Sequence, residues 1–227
     1  MKRSPSPHSL SNIATAEESS PALRADAARN RRRILDAAAA VFAKRGLEAS
    51  TAEIARRAGV GEATLFRRFP TKTDLIVAIL AEQMDGVAAM TEQYLSEPDP
   101  WRAIERWFET IVEQQVSDRG AFDAVKEECM SSPALADRRR RVIELMTRLL
   151  RRAQEAGVVR DDITATDLAF LSTAASSVAG VAFPGLRPDL WRRYLGVILD
   201  GIRPECATKL RPGPPPRRVF ERPGQTA

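Results

Sequence analysis

A short polar stretch near residue 65 carries side chains that could recognise a polyanion. Arg67, Arg68 and Lys72 are cations that can pair with phosphate groups. Glu62 could accept a hydrogen bond from a cytosine amino group, or it could only stabilise the start of its own helix, where a carboxylate is favoured. We predict that this stretch lies in a major groove of DNA. The predicted DNA-contact residues are Thr51, Glu62, Ala63, Thr64, Phe66, Arg67, Arg68 and Lys72.

Residues 51–75 have the pattern of two short helices that cross at a tight turn and lead into a third. Ala55 allows the helices to approach closely, and Gly59 permits the left-handed backbone that such a turn needs. Ser50 and Glu53 form a capping-box pattern that predicts where the first helix begins. This is the pattern of a helix-turn-helix, whose predicted shared core is Ile54, Ala58, Val60, Leu65 and Phe69.

Helical periodicity continues through the rest of the chain. Apolar residues recur at helical spacing from Ile34 onward, and no strand-like alternation is evident. The sequence therefore predicts an all-α protein of about nine helices. After residue 94, the predicted helices cover residues 101–117, 120–130, 133–156, 164–183 and 188–202.

Composition and charge narrow the possible classes of protein. The 227 residues include only two cysteines, no apolar run of membrane-spanning length and no apolar stretch of a secretory signal near the start. We therefore expect a cytoplasmic protein without membrane association. Residues 25–85 contain 11 Lys and Arg against 8 Asp and Glu, whereas residues 86–203 contain 16 against 18. The basic front is where a nucleic acid is expected.

Enzyme chemistry finds no support in the residues. His8 is the only histidine and lies in a stretch that we predict to be disordered. Histidine-based acid–base catalysis and histidine metal sites therefore have no credible residue. Neither a phosphate-binding glycine loop nor a nucleophile elbow occurs in the sequence. We expect no enzyme, no cofactor and no metal.

About fifty residues resemble the N-terminal pattern of the TetR family of bacterial regulators, in the expected order and spacing. This resemblance implies a three-helix DNA-binding domain, a fourth helix that links it to an effector domain, and a homodimer on a palindromic operator in double-stranded DNA. The matching residues are Ile34, Leu35, Asp36, Ala37, Ala38, Val41, Phe42, Gly46, Ser50, Thr51, Ile54, Ala55, Ala58, Gly59, Val60, Thr64, Leu65, Phe66, Phe69, Thr71 and Lys72.

The chain departs from the family pattern at three positions. Gly61 replaces the usual Ser, Ala63 the usual Gly, and Phe66 a Tyr whose hydroxyl meets phosphate. Phe66 cannot make that hydrogen bond, so we expect its ring to pack against the DNA backbone. The basic run Arg29, Arg31, Arg32 and Arg33 could reach a minor groove or only flank the first helix in solvent. For the later run, residues 138–141, we expect a solvated helix face.

The resemblance also divides the chain. It implies a helix-turn-helix domain at residues 25–72 and a helical effector-binding and dimerisation domain at 73–203, the latter similar to the SbtR-like subgroup. The Ser- and Pro-rich ends, 1–24 and 204–227, are predicted to be a disordered arm and tail.

Two sets of residues in the C-terminal domain are assigned by family precedent. The first set could line an effector cavity or be plain core, and helical spacing does not separate these alternatives. The second set could form a dimer interface, or its helices could be buried within one subunit. The predicted cavity residues are Trp107, Phe108, Ile111, Phe122, Cys129, Met130 and Met146, and the predicted interface residues are Leu168, Ser172, Ala175, Ser176, Ala179, Trp191, Leu195 and Ile198.

The expected function is that of a DNA-binding transcriptional repressor that an unidentified small molecule releases from its operator. The alternative is a DNA-binding regulator without such a ligand, controlled by a protein partner or by its expression level.

Overall fold

A computed structural model describes residues 21–117, 132–180, 187–205 and 207–215. These residues form eight α-helices and three short 3-10 helices, and they contain no strand, so the predicted all-α class is confirmed. The predicted helix at 120–130 lies outside the described residues. The α-helices are α1 Pro21–Arg45, α2 Thr51–Ala58, α3 Glu62–Arg68, α4 Lys72–Tyr94, α5 Pro100–Ser117, α6 Ala136–Glu155, α7 Ala165–Ser177 and α8 Trp191–Gly201.

Local sequence signals set several of these helix boundaries. The Ser50 hydroxyl accepts a hydrogen bond from the Glu53 amide at 3.1 Å and so caps α2. The reciprocal half of the predicted capping box is not seen, because the Glu53 carboxylate instead pairs with Arg45 at 3.3 Å. At the start of α4, Thr71 and Asp74 form a complete reciprocal box.

Some predicted helices differ at their ends from the observed ones. The segment after Pro133 first makes a 3-10 turn and becomes α-helical only at Ala136. The helix predicted at 164–183 is α-helical only to Ser177 and continues as a 3-10 turn to Gly180. The helix predicted from residue 188 begins at Trp191.

Two hydrophobic cores organise the helices. The first lies among α1, α2, α3 and the start of α4, and the second lies among α5, α6, α7 and α8. Helix α4 packs along α6 and thereby joins the two halves. The largest fully buried residues of the first core are Ile34, Phe42, Ile54, Leu65, Leu75 and Leu135, and those of the second are Ile104, Trp107, Phe108, Leu149 and Leu168.

Both predicted disordered ends need correction. Helix α1 begins at Pro21, inside the predicted arm, and proline is compatible with a first helical turn. The tail prediction is wrong for residues 207–210. The Thr208 carbonyl accepts a hydrogen bond from the Arg160 guanidinium, and the Leu210 amide donates to the Asp162 carboxylate at 3.4 Å.

Arg160 is the centre of this C-terminal clamp. Its guanidinium is almost fully buried and makes two hydrogen bonds to Asp162, at 2.6 and 2.9 Å, and one to the Gly201 carbonyl at 3.3 Å. The hydrogen bonds from Arg160 lower the pKa of Asp162 to about 2. Because this folded-state pKa is depressed, the clamp contributes stability at neutral pH and loses it as the pH falls toward about 2. Sequence periodicity gave no sign of the clamp because Arg160 lies in a loop.

Within the described ranges, no helix is both long and apolar enough to cross a bilayer. The same ranges hold no cluster of three or more residues suited to bind a metal ion.

Candidate nucleic-acid interface

Helix α3 buries one side and exposes the other. Leu65 is 1% exposed and Phe69, which ends the helix, is 4% exposed, and both belong to the first core. The opposite side carries five of the predicted DNA-contact residues in exposed positions, with Thr64 half-buried beside them. The exposed residues are Glu62, Ala63, Phe66, Arg67 and Arg68.

The two remaining predicted contacts begin neighbouring helices. Thr51 is the first residue of α2 and Lys72 is the first residue of α4, and both are half-buried. The capping box between Thr71 and Asp74 fixes the first turn of α4, on which Lys72 lies. A predicted contact residue thus begins each of the helices α2, α3 and α4.

The helix-turn-helix carries cationic side chains for which the described residues provide no acidic partner. Arg56 and Arg57 at the end of α2, like Arg67 and Arg68 on α3, are exposed, and none of the four forms an ion pair with any residue that the structure describes. Our sequence analysis missed Arg56 and Arg57. Their position in the last turn of α2, close to the break at Gly59, is the signal that could have identified them.

The later basic run behaves differently. Arg138 pairs with Asp85 and Arg141 with Glu92, each at 3.1 Å, so these residues tie α6 to α4. Arg138, Arg140 and Arg141 are exposed, as expected of a solvated face, and the expectation is wrong only for Arg139, which is buried and donates to the Ser132 carbonyl at 3.1 Å. The arginines of this run therefore have partners within the protein, whereas the described residues offer no ion pair to the four arginines of α2 and α3.

The turn between α2 and α3 depends on glycine. Gly59 has a φ of 64°, in the left-handed region, and its amide donates to the Ala55 and Arg56 carbonyls at the end of α2. Gly61 has a φ of −71° and an extended ψ, which other residues adopt without strain. The backbone conformation therefore requires glycine at residue 59 and does not require it at residue 61.

Two family models match this chain. The model described as bacterial regulatory proteins, tetR family, matches residues 34–79, and that described as transcriptional regulator SbtR-like, C-terminal domain, matches residues 99–204. The TetR transcription regulatory protein from Mycobacterium vanbaalenii is 32% identical in sequence, with a TM-score of 0.60 over 80% of this chain and 99% of that one. The chain belongs to the TetR family.

Two other proteins extend the comparison. The repressor KstR from Mycolicibacterium smegmatis is 40% identical over 86 residues, which is 37% of this chain and 41% of KstR. The chain thus matches less than half of that curated relative. FadR from Bacillus subtilis, solved in complex with stearoyl-CoA, shares the fold with a TM-score of 0.59 at 16% identity, over 76% of this chain and 99% of that one. The two family models and the Mycobacterium vanbaalenii structure confirm the predicted family. The second of these models confirms the SbtR-like C-terminal subgroup.

In this TetR-family protein, the predicted cavity residues that the structure describes are core residues. Trp107, Phe108, Ile111 and Met146 are buried, and the Trp107 indole donates to the Thr91 hydroxyl at 3.0 Å. A cleft of about 280 Å³ lies between α6 and residues 163–166, and none of these four residues lines it. The other three predicted cavity residues, Phe122, Cys129 and Met130, lie outside the described residues.

The predicted dimer-interface residues divide by burial. Five of them are buried within the single chain, where they offer almost no surface to a partner. Ser176 and Ile198 are half-buried and Ala179 is exposed. The buried five are Leu168, Ser172, Ala175, Trp191 and Leu195.

A different face of the same two helices is exposed. On α7, Phe170 is 49% exposed, and on α8, Tyr194 and Val197 are 46% and 65% exposed. Both helices are apolar on more than one side. The five buried residues that we had predicted for the dimer interface lie on the side that packs within the chain, mainly against α5.

The two glycines of the turn allow a matched test. Replacing Gly59 with Ser should lower the free energy of unfolding by about 1–2 kcal/mol, because a side chain is strained at positive φ. Gly61→Ser should leave it unchanged or raise it by a few tenths of a kcal/mol, because Ser is favoured at a helix N-cap and a Cβ there meets no atom within 4 Å. Urea unfolding followed by circular dichroism measures both. Equal effects of the two substitutions would contradict the assigned turn.

Proposed function

We propose that this TetR-family regulator is a repressor that binds a palindromic operator as a homodimer and leaves it when a small molecule binds the C-terminal domain. The observation that carries the DNA-binding part is the set of four unpaired arginines on α2 and α3. Charges left uncompensated by the protein can be neutralised by phosphate, with release of counterions from the DNA. The repressor name of the relative KstR supports the sign of regulation.

The exposed side of α3 is the proposed reading surface. Its first residues, Glu62, Ala63 and Thr64, would face base edges in the major groove. The exposed ring of Phe66 would pack against sugar, because it lacks a hydroxyl to donate to phosphate. The residues proposed to hold the backbone on either side are Thr51, Arg56, Arg57, Arg67, Arg68 and Lys72.

The proposed dimer interface is the exposed apolar face of α7 and α8, centred on Phe170, Tyr194 and Val197. Ala179 and the half-buried Ser176 and Ile198 border it. Large apolar side chains left exposed on neighbouring helices are common at interfaces. One short reading helix alone offers few base contacts. Twofold pairing through this face would present two copies of α3 to successive major grooves.

The effector part of the proposal rests on the C-terminal half of the chain. FadR from Bacillus subtilis, with the same fold, holds stearoyl-CoA, so the fold can accommodate a ligand with a long apolar chain. An effector that binds only one spacing of the two DNA-binding domains in the dimer would lower the affinity for DNA. By linkage, bound DNA would lower the affinity for the effector by the same factor. The alternative is a regulator without a small-molecule ligand, and screening metabolites for release of the operator complex separates the two.

The arginines of α3 give the direct test of the DNA part. On an operator selected from random DNA, the double variant Arg67→Ala, Arg68→Ala should lose about 1–3 kcal/mol of binding free energy for each base contact removed. For each phosphate contact removed, the slope of log affinity against log salt should instead fall by about 0.9. The matched control is Arg102→Ala, Arg148→Ala, which removes two exposed arginines from α5 and α6. An α3 variant that matches the control in both affinity and salt slope would refute the interface.

Introducing one charged residue into the proposed dimer interface tests it. Val197→Glu should give monomers with unchanged helicity and much weaker operator binding, because the carboxylate would be desolvated in the apolar contact. Ala89→Glu on the exposed side of α4 is the control and should leave a dimer. Light scattering during gel filtration measures the mass. A Val197→Glu dimer, or an unmodified protein that is monomeric at micromolar concentration, would rule out this interface.

A further inference from the structure

An arginine of α1 reaches the turn that leads into the reading helix. The Arg33 guanidinium donates to the Ala58 carbonyl at 2.7 Å and lies 3.5 Å from the Gly59 carbonyl, 25 and 26 residues further along the chain. The last carbonyls of a helix lack partners within that helix. The backbone amides of Gly59 and Val60 satisfy those of Ala55 and Arg56. Arg33 supplies a donor to the carbonyls of Ala58, the last residue of α2, and of Gly59.

The position of Arg33 also suits its charge. The C-terminal end of α2 carries partial negative charge from the aligned peptide dipoles, which a cation stabilises. A Cβ atom added at Gly59 would lie 2.6 Å from the Arg33 Nη2 atom, so the glycine also leaves room for the guanidinium. Sequence reasoning had considered only a minor-groove contact or a solvent position for Arg33.

A second arginine of the same run contacts the other end of α3. The Arg31 guanidinium lies 5.4 Å from the centre of the Phe69 ring, and Phe69 is the residue at which α3 ends. Arg31 also lies 3.7 Å from the Glu82 carboxylate on α4. Between them, Arg32 points to solvent and has only a 3.9 Å contact with Asp36. The two arginines therefore contact the structure on both sides of α3.

We propose that Arg33 and Arg31 are positioning residues that fix the orientation of α3 from both ends, and that they act through the turn and Phe69 rather than by touching DNA. A helix of seven residues has little stability of its own, so its direction depends on what holds its ends. Base contacts require that direction, whereas phosphate attraction depends on it much less. This inference rests on the proposed role of α3 in reading DNA.

Salt dependence separates positioning from phosphate contact. Arg33→Ala should weaken binding to the selected operator by about ten-fold, leave binding to random DNA nearly unchanged, and keep the slope of log affinity against log salt. Arg33→Lys keeps the charge but not the forked donor, so it should fail to restore operator preference. Arg31→Ala should show the same pattern more weakly. Arg32→Ala, the matched control, should change none of these quantities.

Three results would overturn the proposal. A salt slope smaller by about one, with parallel losses on operator and random DNA, would make Arg33 a phosphate contact. Full restoration of operator preference in Arg33→Lys would also make Arg33 a phosphate contact. An Arg33→Ala protein that binds like Arg32→Ala would remove any role of Arg33 in recognition.

A readout without DNA keeps the test independent of the proposed function. In the free full-length protein, the backbone amide signals of Gly59, Val60 and Gly61 should shift in nuclear magnetic resonance spectra of Arg33→Ala, and they should not shift in Arg32→Ala. Unchanged signals would overturn the contact itself. If the signals shift but the unmodified protein prefers no DNA sequence, the reading role of α3 fails while the contact stands. A thermal melt confirms that each variant is folded at the temperature used.

Discussion

The left-handed turn at Gly59 is the constraint on which the reading surface depends. It brings α2 and α3 together over Leu65 and Phe69, so that one side of a seven-residue helix is buried and the other is exposed. At this turn the Arg33 guanidinium donates to the Ala58 carbonyl and lies 3.5 Å from the Gly59 carbonyl. A donor from α1 ties the turn to the helix that supports the whole first core. The left-handed backbone of Gly59 and a long-range hydrogen bond thus meet at the turn that leads into α3.

The arginines of α2 and α3 have different surroundings from those that join the elements of the C-terminal half. In the C-terminal half, Arg138 and Arg141 pair with carboxylates of α4, and Arg160 is held by Asp162. On α2 and α3, the arginines face solvent without such partners. An exposed ion pair within the protein contributes little to stability, so leaving these arginines unpaired costs the fold little. It leaves positive charge for a polyanion, which is the physical basis for assigning this surface to DNA.

The sequence was sufficient to predict the features that depend on local chemistry. Helical periodicity, the Ser50 cap, the Gly59 turn and the family pattern led to the fold class and to the exposed side of α3. It was not sufficient for features that depend on distant contacts. Nothing in the local pattern distinguishes Arg33, which reaches α2, from Arg32, which does not. The same limit applies to the interface residues predicted on α7 and α8. Helices α7 and α8 are apolar on two sides, so spacing alone could not show that Leu195 faces inward and Val197 outward.

The central claim is that a twofold pair of α3 helices reads two half-sites. Selecting bound fragments from a pool of random double-stranded DNA with the purified full-length protein tests it most directly. The enriched sequences should share two inverted half-sites whose centres are about one helical turn, roughly 34 Å, or further apart. Enrichment of a single unpaired half-site, or no enrichment over the starting pool, would contradict it.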